Sequence, residues 1–303
     1  MPGGEQARDN LSRAALYMVL SAIFIPALNA SAKYLATRYP IVEIVWARYA
    51  GHFLYMLIVF APRRGLSLLI ANRPILQLVR STLLCSSTAI FVLALPSAPL
   101  TTAAAISFTA PFVVTALSPL LLSERVGAAR WAAVAAGFLG AMIVIRPGTE
   151  DMNAAHFLFF ASATFSALYQ IMSRKLAAYD RAETSITYIA VAGFVLTTIP
   201  LPFVWVTPAS AKDAIVFVGL GIFGGVGHYF LVRAFELAPA PFVSPFNYLN
   251  LIGAAILSVA VFGQFPDLWL WIGAAIIVGS GLFILLYERR QRLRVTDKSE
   301  IKR

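Results

Sequence analysis

Charge is scarce in this sequence, and its scarcity excludes whole classes of function. Only 13% of the 303 residues are Asp, Glu, Lys or Arg, and 59% are hydrophobic. A soluble domain carries about 25% charged residues, so cytosolic enzymes and soluble nucleic-acid-binding domains are excluded. There is one cysteine, Cys85, which rules out an internal disulfide. Inside an apolar run its thiol reads as a small packing group. The three histidines, His52, His156 and His228, lack the spacing of metal ligands. No P-loop, H-E-x-x-H pair or nucleophile elbow occurs, so ATP hydrolysis and the common hydrolytic chemistries have no support. No cofactor, metal or catalytic set is expected. Acids are scarcest where they would matter most. Glu43, Glu124, Glu183, Asp213, Glu236 and Asp267 fall at the ends of apolar runs, and the other acids lie in tails or loops. Proton-coupled carriers often relay through a carboxylate within the membrane. Facilitated movement is therefore expected here, with His52, His228 or a displaced Glu43 as the remaining candidates for any coupling.

The chain does hold long apolar runs. A hydrocarbon core about 30 Å thick is crossed by roughly 20 helical residues. Ten runs meet that length: 12–36, 41–61, 74–96, 100–122, 128–146, 153–176, 184–206, 212–236, 241–262 and 267–288. Lipid leaves backbone groups no outside partner, so each run must be a helix. The first run follows a polar stretch and reads as a span rather than a cleavable signal. The net charge of +10 sits mainly at the ends of these runs. With the N-terminus placed inside, only Lys33, Arg38, Arg146 and Lys212 lie outside. Arg48, Arg80 and Arg233 lie within runs, and the rest of the 24 basic residues lie inside. Both termini are expected in the cytoplasm, and the basic tail, 289–303, is expected to touch anionic lipid.

A shift of 140 residues brings Ala94 onto Ala234, Ala98 onto Ala238 and Pro99 onto Pro239. It also brings Ser118 onto Ser258, Trp131 onto Trp271 and Glu124 onto Gln264. The unit is five spans, and an odd number makes the second unit enter the membrane from the opposite side. Inverted repeats with a site at their interface are a recurring architecture of secondary transporters. The expected organisation is a tail at 1–11, a first five-helix repeat at 12–148, a second at 149–288 and the basic tail. The fold class is all-α integral membrane.

The string Gly219-Leu-Gly221-Ile-Phe-Gly224 matches G-x-G-x-x-G but lies inside a span, where close helix packing explains it better than a dinucleotide fold. Gly221 and Gly225 add a small-x-x-x-small pair. Asn29-Ala-Ser31 matches a glycosylation sequon within the first span and is discarded. Pro111, Pro119 and Pro245 interrupt the fourth and ninth spans. Each is read as a gate or as a static kink. Asn247 and Asn250, three apart, share a helix face. The repeat counterpart of Asn247 is Ser107, so the two are expected to flank one cavity from opposite halves. Lys33 and Arg48 are expected to snorkel, with a bias on the outer mouth as the alternative reading.

Three stretches together resemble a known family: LLLSERVGAARWAAVAAGFLGAMIVIRPG at 120–148, AAAISFTAPF at 103–112 and APAPFVSPFNYLNLIGA at 238–254. They are similar to EamA-type members of the drug/metabolite transporter superfamily. The resemblance implies a bacterial inner-membrane transporter with spans 1, 3, 4, 6, 8 and 9 around a central cavity. Members export amino acids, aromatic ones included, and some import riboflavin or S-adenosylmethionine. Gln264 departs from the acid that members often keep there. The expected function is alternating-access export of amino acids or related small metabolites. Import of a vitamin or nucleoside-like compound is the alternative, and a membrane enzyme a remote one. The expected substrate-binding residues are Asn29, Ser107, Thr109, Tyr169, Gln170, His228, Asn247, Tyr248 and Asn250. The expected partners are a small-molecule substrate and the bilayer, with no nucleic acid. A monomer suffices, and the oligomeric state is left open.

Overall fold

The computed structural model describes residues 2–59, 62, 65–124, 126–149 and 152–300. Of these, the side chains of 2–8, 59, 66, 182, 240, 241 and 288–300 are not described. The basic residues Arg63, Arg64 and Arg125 used for orientation lie outside the described residues, as does the end of the tail from 301. Among the described residues all regular structure is helical. In chain order the α-helices are α1 (Pro2–Ala36), α2 (Ile41–Val59), α3 (Pro74–Ala94), α4 (Leu100–Ser107) and α5 (Ala110–Leu122). They continue with α6 (Ala128–Ile145), α7 (Ala154–Leu176), α8 (Ala182–Thr198), α9 (Leu201–Val204) and α10 (Ala211–Leu237). The last are α11 (Ala240–Val243), α12 (Leu249–Phe262) and α13 (Leu268–Glu300). Nine segments of described residues are long and apolar enough to cross a membrane. The seventh expected span falls just short because α8 stops before Pro200, and α9 completes it.

Besides the seventh, two further spans depart from continuous helices. The fourth is α4 and α5, separated at Phe108 and Thr109. Pro111 lacks an N–H, so the turn before it loses a helical bond. The ninth is α11, a 3-10 turn at Ser244–Tyr248 that contains Pro245, and α12. The sequence reading of both as single spans with a kink is corrected to broken helices. α1 is also longer than expected and runs through most of the segment read as a tail. α13 continues as helix through most of the basic tail.

Local sequence ends the helices. Asn153 caps α7, its Oδ1 accepting the Ala155 N–H at 2.9 Å. His156 Nδ1 accepts the Asn153 N–H at 3.3 Å, which accounts for that histidine as half of a capping box. Ser210 Oγ accepts from Asp213 N at the start of α10. Ser123 and Gly263, related by the repeat, end α5 and α12 at φ +56° and +63°. Glu124 N donates to Ser118 O, and Gln264 N donates to Ser258 O. All three pairs are 140 residues apart, so the two halves end their fourth helices in the same way.

The packing obeys a two-fold relation between the halves. Spans 1 and 8 pack together (α1 on α10), as do their counterparts 6 and 3 (α7 on α3). Spans 1 and 9 pack (α1 on α12), as do 6 and 4 (α7 on α5). Spans 2 and 7, 4 and 9, and 5 and 10 meet their own counterparts. The fold is thus two inverted five-helix repeats. Small residues allow the closest approaches. A Cβ on Gly51 of α2 would run into the Gly221 backbone of α10, and Gly221 in turn faces Gly51 and the Ala47 carbonyl. The G-x-G-x-x-G string is therefore a packing face, as the sequence reading had it. Large apolar side chains such as Leu54, Ile58, Ile215 and Phe203 are exposed, as expected for a surface that meets lipid.

Replacing Gly51 by Leu should push α2 from α10. Overpacking costs about 1–3 kcal/mol, so a lower melting temperature and a loss of monodisperse protein in detergent are expected. An unchanged melting curve would show that the two helices do not depend on this approach.

Candidate functional site

The two helix breaks meet. Phe108 and Tyr248, counterparts in the two halves, place their rings 5.0 Å apart at a tilt of 48°. Around the Phe108 break the hydroxyls serve the backbone: Ser107 Oγ donates to Ala103 O at 2.8 Å, and Thr109 Oγ1 donates to Ile106 O at 2.7 Å. Ser107 remains half-buried, but Thr109 is 0% exposed and does not open to a cavity in this state. In the second half Asn250 Nδ2 donates to the Asn247 carbonyl at 2.8 Å. The Asn250 Oδ1 is buried and has no partner among the described residues. Tyr248 directs its hydroxyl into the space that a side chain at Gly281 of α13 would fill. The breaks thus bring Ser107, Asn247, Tyr248 and Asn250 to one level of the fold.

The remaining expected residues spread over other helices. Asn29 is half-buried on α1, one turn beyond Pro26. Tyr169 of α7 is half-buried beneath the Arg80 guanidinium, which lies 5.5 Å from the ring centroid. Gln170 is exposed beside it. His228 of α10 holds Gly224 O at 2.9 Å through Nδ1. A carbonyl only accepts, so Nδ1 carries the proton. The His228 ring lies 4.8 Å from that of His52 on α2, in an edge-on arrangement.

Sequence reasoning left Arg48 and His52 out of the site. Neither Lys33 nor Arg48 snorkels, and this corrects the expectation for both. Arg48 sits midway along α2, with a buried Nε that donates to no partner among the described residues. It lies within electrostatic reach of His52, His228, Tyr49 and Cys85. Arg48 and His52 are four residues apart, so they share a helix face. That spacing was the available signal.

Lys33 is 3% exposed. Its ammonium donates to Ala98 O at 2.6 Å and to Gln264 Oε1 at 2.7 Å, and lies 4.8 Å from the Phe262 centroid. It therefore ties α1 to the linker between spans 3 and 4 and to the turn between spans 9 and 10. The other face of the protein carries a looser counterpart. Glu124, the repeat equivalent of Gln264, pairs with Arg174 of α7 at 2.6 Å, and the Arg174 side chain is 61% exposed. Arg174 is one position from the repeat counterpart of Lys33. The sequence difference between Glu124 and Gln264 thus leaves intact a matched pair of cation contacts, one per face. Further bonds fasten the Lys33 face. Arg146 pairs with Asp267, Tyr39 Oη donates to Asp213 Oδ2 at 2.8 Å, and Asn153 Nδ2 donates to Ser97 O at 2.7 Å.

A separate groove of ≈ 540 Å³ lies between α2 and α10, lined by Leu54, Ile58, Val218 and Ile222 among others. These side chains are exposed on the apolar outer surface, which separates the groove from the polar residues above.

Ten helical segments in two inverted repeats, with broken helices meeting between them, define a membrane transporter of the inverted-repeat class. The comparisons with known proteins identify the kind. The model of the EamA-like transporter family matches twice, at residues 12–146 and 153–286, and the chain belongs to that family. A riboflavin transporter of Rhizobium johnstonii is 33% identical over 283 residues, covering 91% of this chain and 92% of that protein. An S-adenosylmethionine uptake transporter of Rickettsia felis is 30% identical over 278 residues, covering 92% and 94%. A crystal structure superposes with a TM-score of 0.63 and 20% identity over 92% of this chain and 99% of that one, a likeness of fold. The expectation of amino-acid export finds no support among these relatives, whose names point to the alternative.

Removing the Lys33 ammonium leaves the buried Ala98 carbonyl and the half-buried Gln264 Oε1 without it, at a cost of about 1–3 kcal/mol. In a Cys85→Ser background, the buried Thr101→Cys should react several-fold faster with a membrane-impermeant maleimide once Lys33→Met is added. An unchanged labelling rate would show that Lys33 does not hold that face closed.

Proposed function

We propose that the chain is an alternating-access importer of a small metabolite built on a fused nitrogen heterocycle, of the riboflavin or S-adenosylmethionine kind. The observation that carries this reading is end-to-end similarity to relatives named for those two substrates. The chemistry of the breaks agrees with it. The Phe108 and Tyr248 rings offer aromatic faces for stacking. The unpaired Asn250 Oδ1 offers an acceptor, and flavin and adenine rings both carry N–H donors. The substrate lies between the repeats against Asn29, Ser107, Tyr169, His228, Asn247, Tyr248 and Asn250. Thr109 shapes the break, and Gln170 lies at the edge of the path.

In this reading the protein sits in a bacterial inner membrane with both termini in the cytoplasm. Lys33 then closes the outer mouth. Import requires Lys33 to release Ala98 and Gln264 while Arg174 tightens on the other face. By the repeat relation, Arg174 would gain the Ala238 carbonyl as Lys33 now holds that of Ala98. No carboxylate sits among the residues of this path, so movement follows the substrate gradient.

Proteoliposomes holding the purified protein should take up labelled riboflavin or S-adenosylmethionine, and a pool of amino acids should not compete. Tyr248→Ala and Asn250→Ala should each lower that uptake by at least about tenfold, a loss of about 1.4 kcal/mol, while the protein still reaches the membrane. Uptake of amino acids alone would return the assignment to the exporter reading, and full activity in both variants would remove these residues from the site.

A further inference from the structure

Arg48 is a permanent cation in the middle of a membrane-spanning helix, its Nε buried, and no acid among the described residues pairs with it. A guanidinium stays protonated in a protein, and a buried charge without a partner costs several kcal/mol. The groups that face it are a phenol (Tyr49) and an imidazole (His52) from α2, a thiol (Cys85) from α3 and an imidazole (His228) from α10. A thiol and a phenol are neutral near pH 7. The described acids of the helices around it point to other groups, although Glu43 keeps a buried Oε1 without a partner among the described residues. Glu43, five residues and about 7.5 Å along α2, accepts the Val206 N–H through Oε2. Asp213 is held by Tyr34 and Tyr39, and Glu236 pairs with Arg233. Beside Arg48, the His52 Nε2 is likewise buried without a partner. It packs against the Gly224 turn to which His228 is bonded. Arg48 Nε is thus a buried donor with no acceptor among the described residues, and the His52 ring shares its face of α2.

We propose that Arg48, with His52 and His228 beside it, receives an anionic group of the transported metabolite, a carboxylate or a phosphate. The planar fork of a guanidinium matches either group with two parallel hydrogen bonds. The His52 ring, four residues along the same helix face, offers one further N–H as a neutral imidazole. The site carries an unbalanced charge only while substrate is absent, so an anionic cargo offsets the cost of the cation. This deepens the importer reading and rests on it. It adds a selection rule within that reading, favouring substrates with a fixed negative group over neutral ones of the same ring system.

Two matched pairs of ligands test the rule by equilibrium binding to purified protein. S-adenosylhomocysteine carries a carboxylate that methylthioadenosine lacks, and riboflavin phosphate carries a phosphate that riboflavin lacks. The wild type should prefer the anionic member of at least one pair. The pair that responds tells carboxylate from phosphate. Arg48→Gln should abolish the preference by weakening the anionic member about tenfold or more, while the neutral member binds as before. Arg48→Lys keeps the charge and should retain part of the preference. Equal binding within both pairs, or a preference that survives in Arg48→Gln, overturns the proposal.

If neither ring system binds, the importer reading fails, and the anion site is tested without it. Acetate or inorganic phosphate should then raise the melting temperature of the wild type above that in chloride at equal ionic strength, and Arg48→Gln should lose the rise. The same rise in wild type and variant overturns the site.

Discussion

Lipid offers a backbone no hydrogen bonds, so a helix can break within a membrane only where protein covers the break. That constraint organises this structure. The fourth and ninth spans break at Phe108–Thr109 and at Ser244–Tyr248. Each freed group needs a partner inside the molecule. At the breaks the hydroxyls of Ser107 and Thr109 turn back onto the carbonyls of Ala103 and Ile106, and the Asn250 amide turns back onto that of Asn247. Once those side chains serve the backbone, the two breaks must face each other rather than the bilayer. The inverted repeat makes that meeting automatic, because counterparts lie at the same depth from opposite faces. The contact of Phe108 with Tyr248 is its result.

The close approaches of glycine on α2 and α10 serve the same end from outside. Gly51 against Gly221 draws α2 inward, and α2 is the helix that carries Arg48 and His52. Gly224, on the same turn of α10, gives His52 room and gives His228 a carbonyl. A string of glycines that resembles a phosphate loop in a soluble protein therefore positions imidazoles in this one. The difference lies in its surroundings, since the string has no strand before it and a helix on both sides.

The spans, the repeat and the packing role of Gly219–Gly224 were legible from hydropathy and spacing, because lipid permits only helices and a shift of 140 residues needs no structure to see. The breaks were half-legible. Proline announced a disturbance at Pro111 and Pro245, but whether a helix bends or stops depends on tertiary partners such as Tyr248 and Gly281. The roles of single cations were not legible at all. Lys33 lies near a span end, where snorkelling is the ordinary expectation, and only the fold reveals that Ala98 and Gln264 arrive there from distant parts of the chain. Thr109 misled in the opposite direction, for a hydroxyl in a span looks available until its carbonyl partner is seen. Arg48 and His52 carried the signal of a shared helix face, yet the decisive fact, that no acid among the described residues pairs with Arg48, belongs to the packing.

Two cations within the spans of one membrane protein invite comparison, and their partners separate their roles. Lys33 is surrounded by neutral dipoles from three segments, a carbonyl, an amide and an aromatic face. Those partners are fixed to the protein, so the ammonium is satisfied whenever the segments are together and orphaned whenever they part. Such a group reports on conformation and suits a latch. Arg48 has no such set of fixed dipoles, and two of its neighbours repel it when they gain a proton. Its energy falls when something mobile and negative arrives, whatever the distance between segments. A latch with a cargo-independent hold at one face, and a centre whose cost is lifted only by cargo, together favour the loaded protein as the state that moves.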